Sequence, residues 1–199
     1  MGVKIHFCSQ CGSGDVRYAI PEGDSYRRYI CGDCGFIHYQ NPNIVAGCLV
    51  THQGKILICK RAIQPKKDLW TLPAGFMENH ETMSQAAERE TWEEARAHIH
   101  APTLYTLFNL PHINQVYAMY HGELAGGSYA PGPESTEVKL VHPHEIPWDM
   151  IAFATIRETL KLYIQDLEHG RIRMHYGDII RPWVLTDPTN AELKNLVST

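Results

Sequence analysis

The stretch Gly75-Phe-Met-Glu-Asn-His-Glu81-Thr-Met-Ser-Gln-Ala-Ala-Glu-Arg89-Glu90-Thr-Trp-Glu93-Glu94 decides the reading of this chain. Its pattern predicts a helix over residues 82–95. Thr82 with Gln85 three residues on matches a capping box, which satisfies two orphan N–H groups of the first turn. On this helix Glu90, Glu93 and Glu94 stand at i, i+3 and i+4 and share a face. Met83, Ala86 and Ala87 lie on that face too. The carboxylates therefore continue an inward stripe whose small residues let a loop come close. The alternative is a solvated acidic face. Against it, like charges four apart repel, and the last turns of a helix disfavour anions. No Lys or Arg follows Glu90 or Glu94 at the fourth position, where Glu94 and His98 stand. Each effect costs about a few tenths of a kcal/mol, all with one sign, and a divalent cation reverses them. Hard oxygen ligands point to Mg2+ or Mn2+.

Outward from the helix, Ile44–Thr51 and Lys55–Lys60 are β-rich runs around His52-Gln53-Gly54, a hairpin signal. Strands are also expected at Thr103–Phe108, Val116–Tyr120 and Val138–His142. The Gly126–Pro133 segment reads as a loop. Ile151, Ile156, Leu160, Ile164 and Leu167 recur at roughly helical spacing, with Gly170 as a C-terminal cap. From Arg171 onward no pattern stands out. Short strands are expected at Val16–Ile20, Tyr26–Ile30 and Phe36–Tyr39, and Asn41-Pro42-Asn43 is a break. The division is thus residues 1–40 and 41–199.

The first unit is too poor in apolar residues to bury a core and needs a staple. Cys8-x2-Cys11 and Cys31-x2-Cys34 supply it, because two such pairs complete a tetrahedral shell of four thiolates. With all four positions filled by protein, the Zn2+ is structural. A redox dithiol is the competing reading. Cys48 and Cys59 stand alone in apolar runs and read as small core residues.

The 199 residues carry 44% hydrophobic and 20% charged side chains, an ordinary globular composition. The net charge of −4 gives no global basic field. Arg17, Arg27 and Arg28 are balanced by Asp15, Glu22, Asp24 and Asp33, so nucleic acid is not an expected partner. No apolar run reaches the length of a membrane span, and Met1 to Phe7 lack signal-peptide character. A cytoplasmic protein is expected.

The helix segment resembles the Nudix box, G-x5-E-x7-R-E-U-x-E-E-x-G-U, with U a bulky aliphatic residue. Gly75, Glu81, Arg89, Glu90, Glu93 and Glu94 match in register. Thr91 departs at the first U position, Arg96 replaces the last glycine, and Ala97 stands at the second U position. Arg96 either adopts a left-handed conformation at a cost of about 1 kcal/mol or the helix runs on. The resemblance implies an α/β/α sandwich around a mixed sheet, preceded by a small zinc-ribbon β module. It implies Glu90, Glu93 and Glu94 as Mg2+ ligands, Arg89 and Glu81 as groups that orient them, and Gly75 where the backbone nears the metal. The implied reaction is attack of activated water on phosphorus. Glu93 and Glu94 are candidate bases, with Glu134 and Glu137 as rivals, since a Gly/Pro loop can close over substrate.

A four-cysteine ribbon before a Nudix domain is also the order of bacterial NADH pyrophosphatases. Their S-Q-P-W-P-F-P-x-S element is absent after Ala97. The chain is more similar to Nudix enzymes that split FAD and ADP-ribose, through Arg61-Ala-Ile-Gln-Pro65, Leu69-Trp70-Thr-Leu-Pro-Ala-Gly75, Ala130-Pro-Gly-Pro-Glu-Ser135 and His175-Tyr-Gly177. Gly75, Arg61 and Phe76 are expected at the substrate. Trp70, Phe76 and Tyr117 are candidates for ring stacking, each weighed against a place in the core. The implied function is hydrolysis of the diphosphate bond of FAD or ADP-ribose, and the family suggests a homodimer. Competing readings are an ADP-ribose-sensing regulator whose ribbon touches nucleic acid, an NADH pyrophosphatase, and an interaction module built on the ribbon.

Overall fold

The computed structural model describes residues 4–180 and 184–186. Two compact units meet in sequence at Pro42 and Asn43. The division falls inside the Asn41–Asn43 segment, where Asn43 already pairs with Gln115 as a strand residue.

In the first unit, β1 (Val16–Ala19), β2 (Arg28–Cys31) and β3 (Ile37–His38) form an antiparallel sheet in that order. Cys8 and Cys31 are buried, whereas Phe7, Tyr18, Tyr26 and Tyr39 are exposed. Two of the four thiols, those of Cys11 and Cys34, are exposed as well, so the unit has little core and relies on a staple.

The second unit is built on β4 (Asn43–His52), β5 (Lys55–Arg61), β6 (Trp70–Thr71), β7 (Ala74–Phe76), β8 (His98–Leu110), β9 (Gln115–Ala125), β10 (Ser135–Val141), β11 (His175–Ile180) and β12 (Val184–Thr186). The sheet order is β10-β5-β4-β9-β8-β11-β12, with β6 paired to β5 and β7 to β4. It is mixed, since β4 with β9 and β11 with β8 run parallel and the other pairs antiparallel. Gln53 and Gly54 both take positive φ, the two-residue turn whose twist matches flanking strands. Helix α1 covers Met83–Ala95 and α2 covers Ala154–Glu168.

Residue alternation on the central strands makes the sandwich. Leu49, Ile56 and Ile58 face Ile156, Leu160 and Tyr163 of α2. Their neighbours Cys48, Val50, Leu57 and Cys59 face Ala95 and Ala97, and Ala46 meets Ala86 and Ala87 of α1. Successive strand side chains point to opposite faces, so a continuous apolar run needs a helix on each side. Cys48 and Cys59 are fully buried core residues, and burial raises both thiol pKa values.

One expectation needs correction. The chain after Arg171 is not patternless, since β11 lies parallel to β8. Of the two places weighed for Trp70, the core is the one found. Its side chain is buried there with Lys139 Nζ 4.2 Å above the ring. Among the described residues no helix is long and apolar enough to cross a membrane.

Candidate functional site

The expected capping box is present. Gln85 N–H donates to the Thr82 hydroxyl at 3.2 Å and Thr82 N–H donates to Gln85 Oε1 at 2.8 Å. With its start fixed, α1 sets Glu90 (9% exposed) and Glu94 (5%) inward, while Glu93 stays at the rim. Glu90 faces Gly75 of β7, where any Cβ would collide with its carboxylate. A side chain at this position would push the Glu90 carboxylate aside. Burial raises the Glu90 pKa against the opposing pull of Arg89. Burial, then the Glu90 charge, raises that of Glu94 to about 8.

Arg89 ties these parts together. Its Nε and Nη2 donate to Glu81 at 3.1 and 2.8 Å, and Nη2 also donates to the Phe76 carbonyl at 3.0 Å. Its Nη1 donates to Glu90 Oε1 at 2.6 Å and Glu93 Oε2 at 3.0 Å. Glu81 also accepts Glu78 N–H at 2.6 Å. The Arg89 hydrogen bonds hold the Glu81 pKa below its ordinary value. One guanidinium thus clamps β7, the loop after it and two helix carboxylates, a geometry a lysine cannot make.

The helix ends at Arg96, which takes the left-handed conformation itself, at φ 47°. Of the two outcomes the sequence allows, the strained exit is the one found. The Arg96 guanidinium lies 5.4 Å from the Trp92 ring. The loop after β9 completes the terminus. Gly132 N–H donates to the Glu94 carbonyl at 3.0 Å and Ala130 N–H to the Ala95 carbonyl at 2.9 Å, satisfying carbonyls that a helix end leaves free. A Cβ on Gly132 would collide with the Glu93 carbonyl. This latch carries Glu134 to the cleft wall, where its charge raises the pKa of both Glu90 and Glu94. Glu137 lies on β10 opposite Lys60 and does not line the cleft.

The cleft has a volume of about 1330 Å3. Glu90, Glu93, Glu94, Arg89, Gly75, Phe76, Arg61 and Glu134 line it, while Glu81 stands behind Arg89. Phe76 is exposed, free to meet a ring, and Tyr117 is half-buried in the same wall. Arg61 is steered by its Nε donating to the Pro65 carbonyl at 2.9 Å and lies 5.2 Å from the Phe153 ring. Phe153 and Thr155 also line the cleft and were not legible as site residues. The only signal for them is an uncapped helix start, Ala152-Phe153-Ala154, in a run that reads as core.

The donors suit a hard divalent cation, being carboxylates of which two are buried and mutually repelling. The three do not close on one point, however. Among the described residues, the four cysteines are the one group of three or more Cys, His, Asp or Glu side chains with ligand atoms within 4.8 Å of one another. Arg89 Nη1 lies between two of them, donating to both Glu90 and Glu93. Cys8 and Cys34 sulfurs are 3.7 Å apart and Cys11 and Cys31 sulfurs 3.6 Å. A tetrahedron with about 2.3 Å zinc–sulfur bonds has edges of about 3.8 Å, so the quartet fits that ion.

Residues 41–162 match the NUDIX domain family and residues 6–40 the Nudix N-terminal zinc-ribbon family. The chain is 29% identical over 161 residues to the NAD-capped RNA hydrolase NudC of Stutzerimonas stutzeri, covering 79% of this chain and 55% of that protein. It is 43% identical over 53 residues to the phosphatase NudJ of Escherichia coli K12, covering 27% of this chain and 34% of that one. The chain therefore spans about half the length, or less, of these curated relatives. A NUDIX hydrolase structure from Nitrosomonas europaea shares 50% identity at TM-score 0.84, covering 88% of this chain and 99% of the other. An ADP-ribose pyrophosphatase structure from Streptococcus suis shares 18% identity at TM-score 0.56, covering 68% and 99%, a likeness of fold.

Proposed function

The chain belongs to the Nudix hydrolase family, and from that premise we infer that it hydrolyses the diphosphate bond of a nucleotide derivative of the FAD or ADP-ribose type, giving AMP and a second phosphate monoester. The observation that carries this reading is the buried, mutually repelling pair Glu90 and Glu94 set against the side-chain-free backbone of Gly75. Such a pair is unfavourable with both carboxylates charged, and either a proton on Glu94 or a bound cation relieves it.

Glu90 and Glu94, with Glu93 at the rim, would hold Mg2+ once Arg89 yields its place between Glu90 and Glu93. Bound Mg2+ supplies charge neutralisation of the diphosphate and acidifies water. The remaining work falls to the chain. Arg89, pinned by Glu81, orients the carboxylates. Glu93 takes the proton from the attacking water as its oxygen bonds to phosphorus. The bridging P–O bond breaks and the monoester leaves. Glu94 and Glu134 are the rival proton acceptors. Arg61 meets phosphate charge, and Phe76 and Tyr117 offer faces to a base or flavin ring. The four cysteines hold structural Zn2+.

The test is incubation of the zinc-loaded chain with Mg2+ and FAD, ADP-ribose or NADH, with AMP measured. Wild type should form AMP. Glu93→Gln and Glu94→Gln should each lose at least about a hundredfold in kcat/KM. AMP from none of the three would favour the sensor reading.

A second reading keeps the chemistry and enlarges the substrate. The Stutzerimonas relative is named for hydrolysis of NAD-capped RNA, so the expectation that nucleic acid is not a partner gains no support. A dinucleotide-capped RNA belongs beside FAD and ADP-ribose in the assay.

A further inference from the structure

The wall of the cleft away from the carboxylates includes the start of α2, a 15-residue helix. Ala152, Phe153, Ala154 and Thr155 line the cleft there. Ala152 N–H donates to the Trp70 carbonyl at 2.8 Å, which fixes the approach of the chain to the helix. The N-cap residue is Phe153, whose side chain makes no capping hydrogen bond, and the first turn holds no acidic residue. The first N–H groups of a helix have no partner within it and carry partial positive charge. Among the described residues no side chain answers them.

Thr155 is a second and independent sign. It is 1% exposed, it lines the cleft, and its hydroxyl has no hydrogen-bond partner among the described residues. A buried hydroxyl without a partner costs free energy. Valine, its isostere, would avoid that cost. Nearby, the Arg61 guanidinium lies against the N-cap ring of Phe153. Arg61 lines the same cleft as Glu94 and the start of α2.

The geometry points to an anion subsite at the start of α2, in which the free N–H groups of its first turn, the Thr155 hydroxyl and Arg61 bind a phosphate group of the nucleotide ligand. Helix N-termini bind phosphate through those N–H groups and the helix dipole, and arginine meets phosphate in a fork. This subsite is separate from the carboxylate helix. It would hold the ligand at a second point of the same cleft. The inference rests on the nucleotide-hydrolase reading only for the identity of the ligand.

Binding measured without turnover tests it. The zinc-loaded protein, with no added Mg2+, is titrated with AMP and with adenosine by calorimetry, and 15N-labelled protein is followed by NMR with the same probes. The expected result is tighter binding of AMP than of adenosine, with Ala154, Thr155 and Ile156 amides shifting with AMP alone. Thr155→Val should weaken AMP binding about tenfold and leave adenosine unchanged. Its Tm should match or exceed that of wild type, and Thr155→Ser should restore AMP affinity. Equal AMP affinity in wild type and Thr155→Val, with those amides unmoved, would overturn the subsite even if Mg2+-dependent hydrolysis is found. Amide shifts with AMP in a protein that hydrolyses nothing would keep the subsite and sink the enzyme reading.

Discussion

At the scale of single residues, Gly75 and Arg96 show opposite relations between chain geometry and residue type. Gly75 is where a methyl group would enter the Glu90 carboxylate. Gly75→Ala should reduce AMP formation at least about a hundredfold, because a misplacement of about 1 Å near the reacting atoms has that effect. The mutant should still melt cooperatively, and full activity in it would refute the close approach. Arg96 holds a left-handed conformation that costs a non-glycine residue about 1 kcal/mol. Arg96→Gly should therefore raise Tm by a few degrees, read by thermal denaturation, and no gain would mean that stacking on Trp92 offsets the strain. The box residues were legible in sequence because their spacing alone puts Glu90 and Glu94 on one helical face. The clamp by Arg89 was only implied, since no spacing rule says that one guanidinium reaches Glu81, Glu90, Glu93 and the Phe76 carbonyl together.

At the scale of elements, the local signals were readable and the distant pairings were not. The start of α1 was fixed by Thr82 and Gln85 within one turn. Strand β11 was missed because its partner β8 lies some seventy residues earlier and its alternation is broken by Gly177. The end of α1 depends on a loop from another part of the chain, through Ala130 and Gly132. Gly132→Ala should cost about 2 kcal/mol by overpacking against the Glu93 carbonyl, measured as a fall in urea midpoint at constant m. An unchanged midpoint would mean that the latch opens freely. Between α2 and β11, Asp166 is buried, which by itself opposes ionisation. It nonetheless stays below the ordinary carboxylate pKa through His175 at 2.8 Å, Arg173 N–H at 3.2 Å and the Tyr105 hydroxyl at 3.0 Å. A depressed folded pKa adds stability above the unfolded value of about 3.9, and that stability is lost as pH falls through the folded value. The Tm gap between wild type and Asp166→Asn should be constant above about pH 5 and shrink below about pH 4. A gap that widens on acidification would contradict the depressed carboxyl.

For the whole molecule, the two units rely on different sources of stability. The sheet unit buries side chains on both faces, whereas the unit up to Pro42 has four convergent thiolates and exposed rings. Removing zinc with a chelator should abolish amide protection in residues 4–42, since metal binding supplies the folding free energy of such modules. Retained protection at Val16–Ala19 and Arg28–Cys31 after metal removal would show that the small sheet stands alone. The cysteine spacing made the metal quartet of this unit legible. The parallel pairing at the centre of the larger sheet has a consequence for synthesis on the ribosome. The apolar strand Asn43–His52 pairs on one edge with β5 and β7 but on the other only with residues 115–125, so that second edge stays open while some sixty intervening residues emerge. Nascent chains that stall in that interval would present a bare, sticky strand edge, the kind of surface on which aggregates start and chaperones bind.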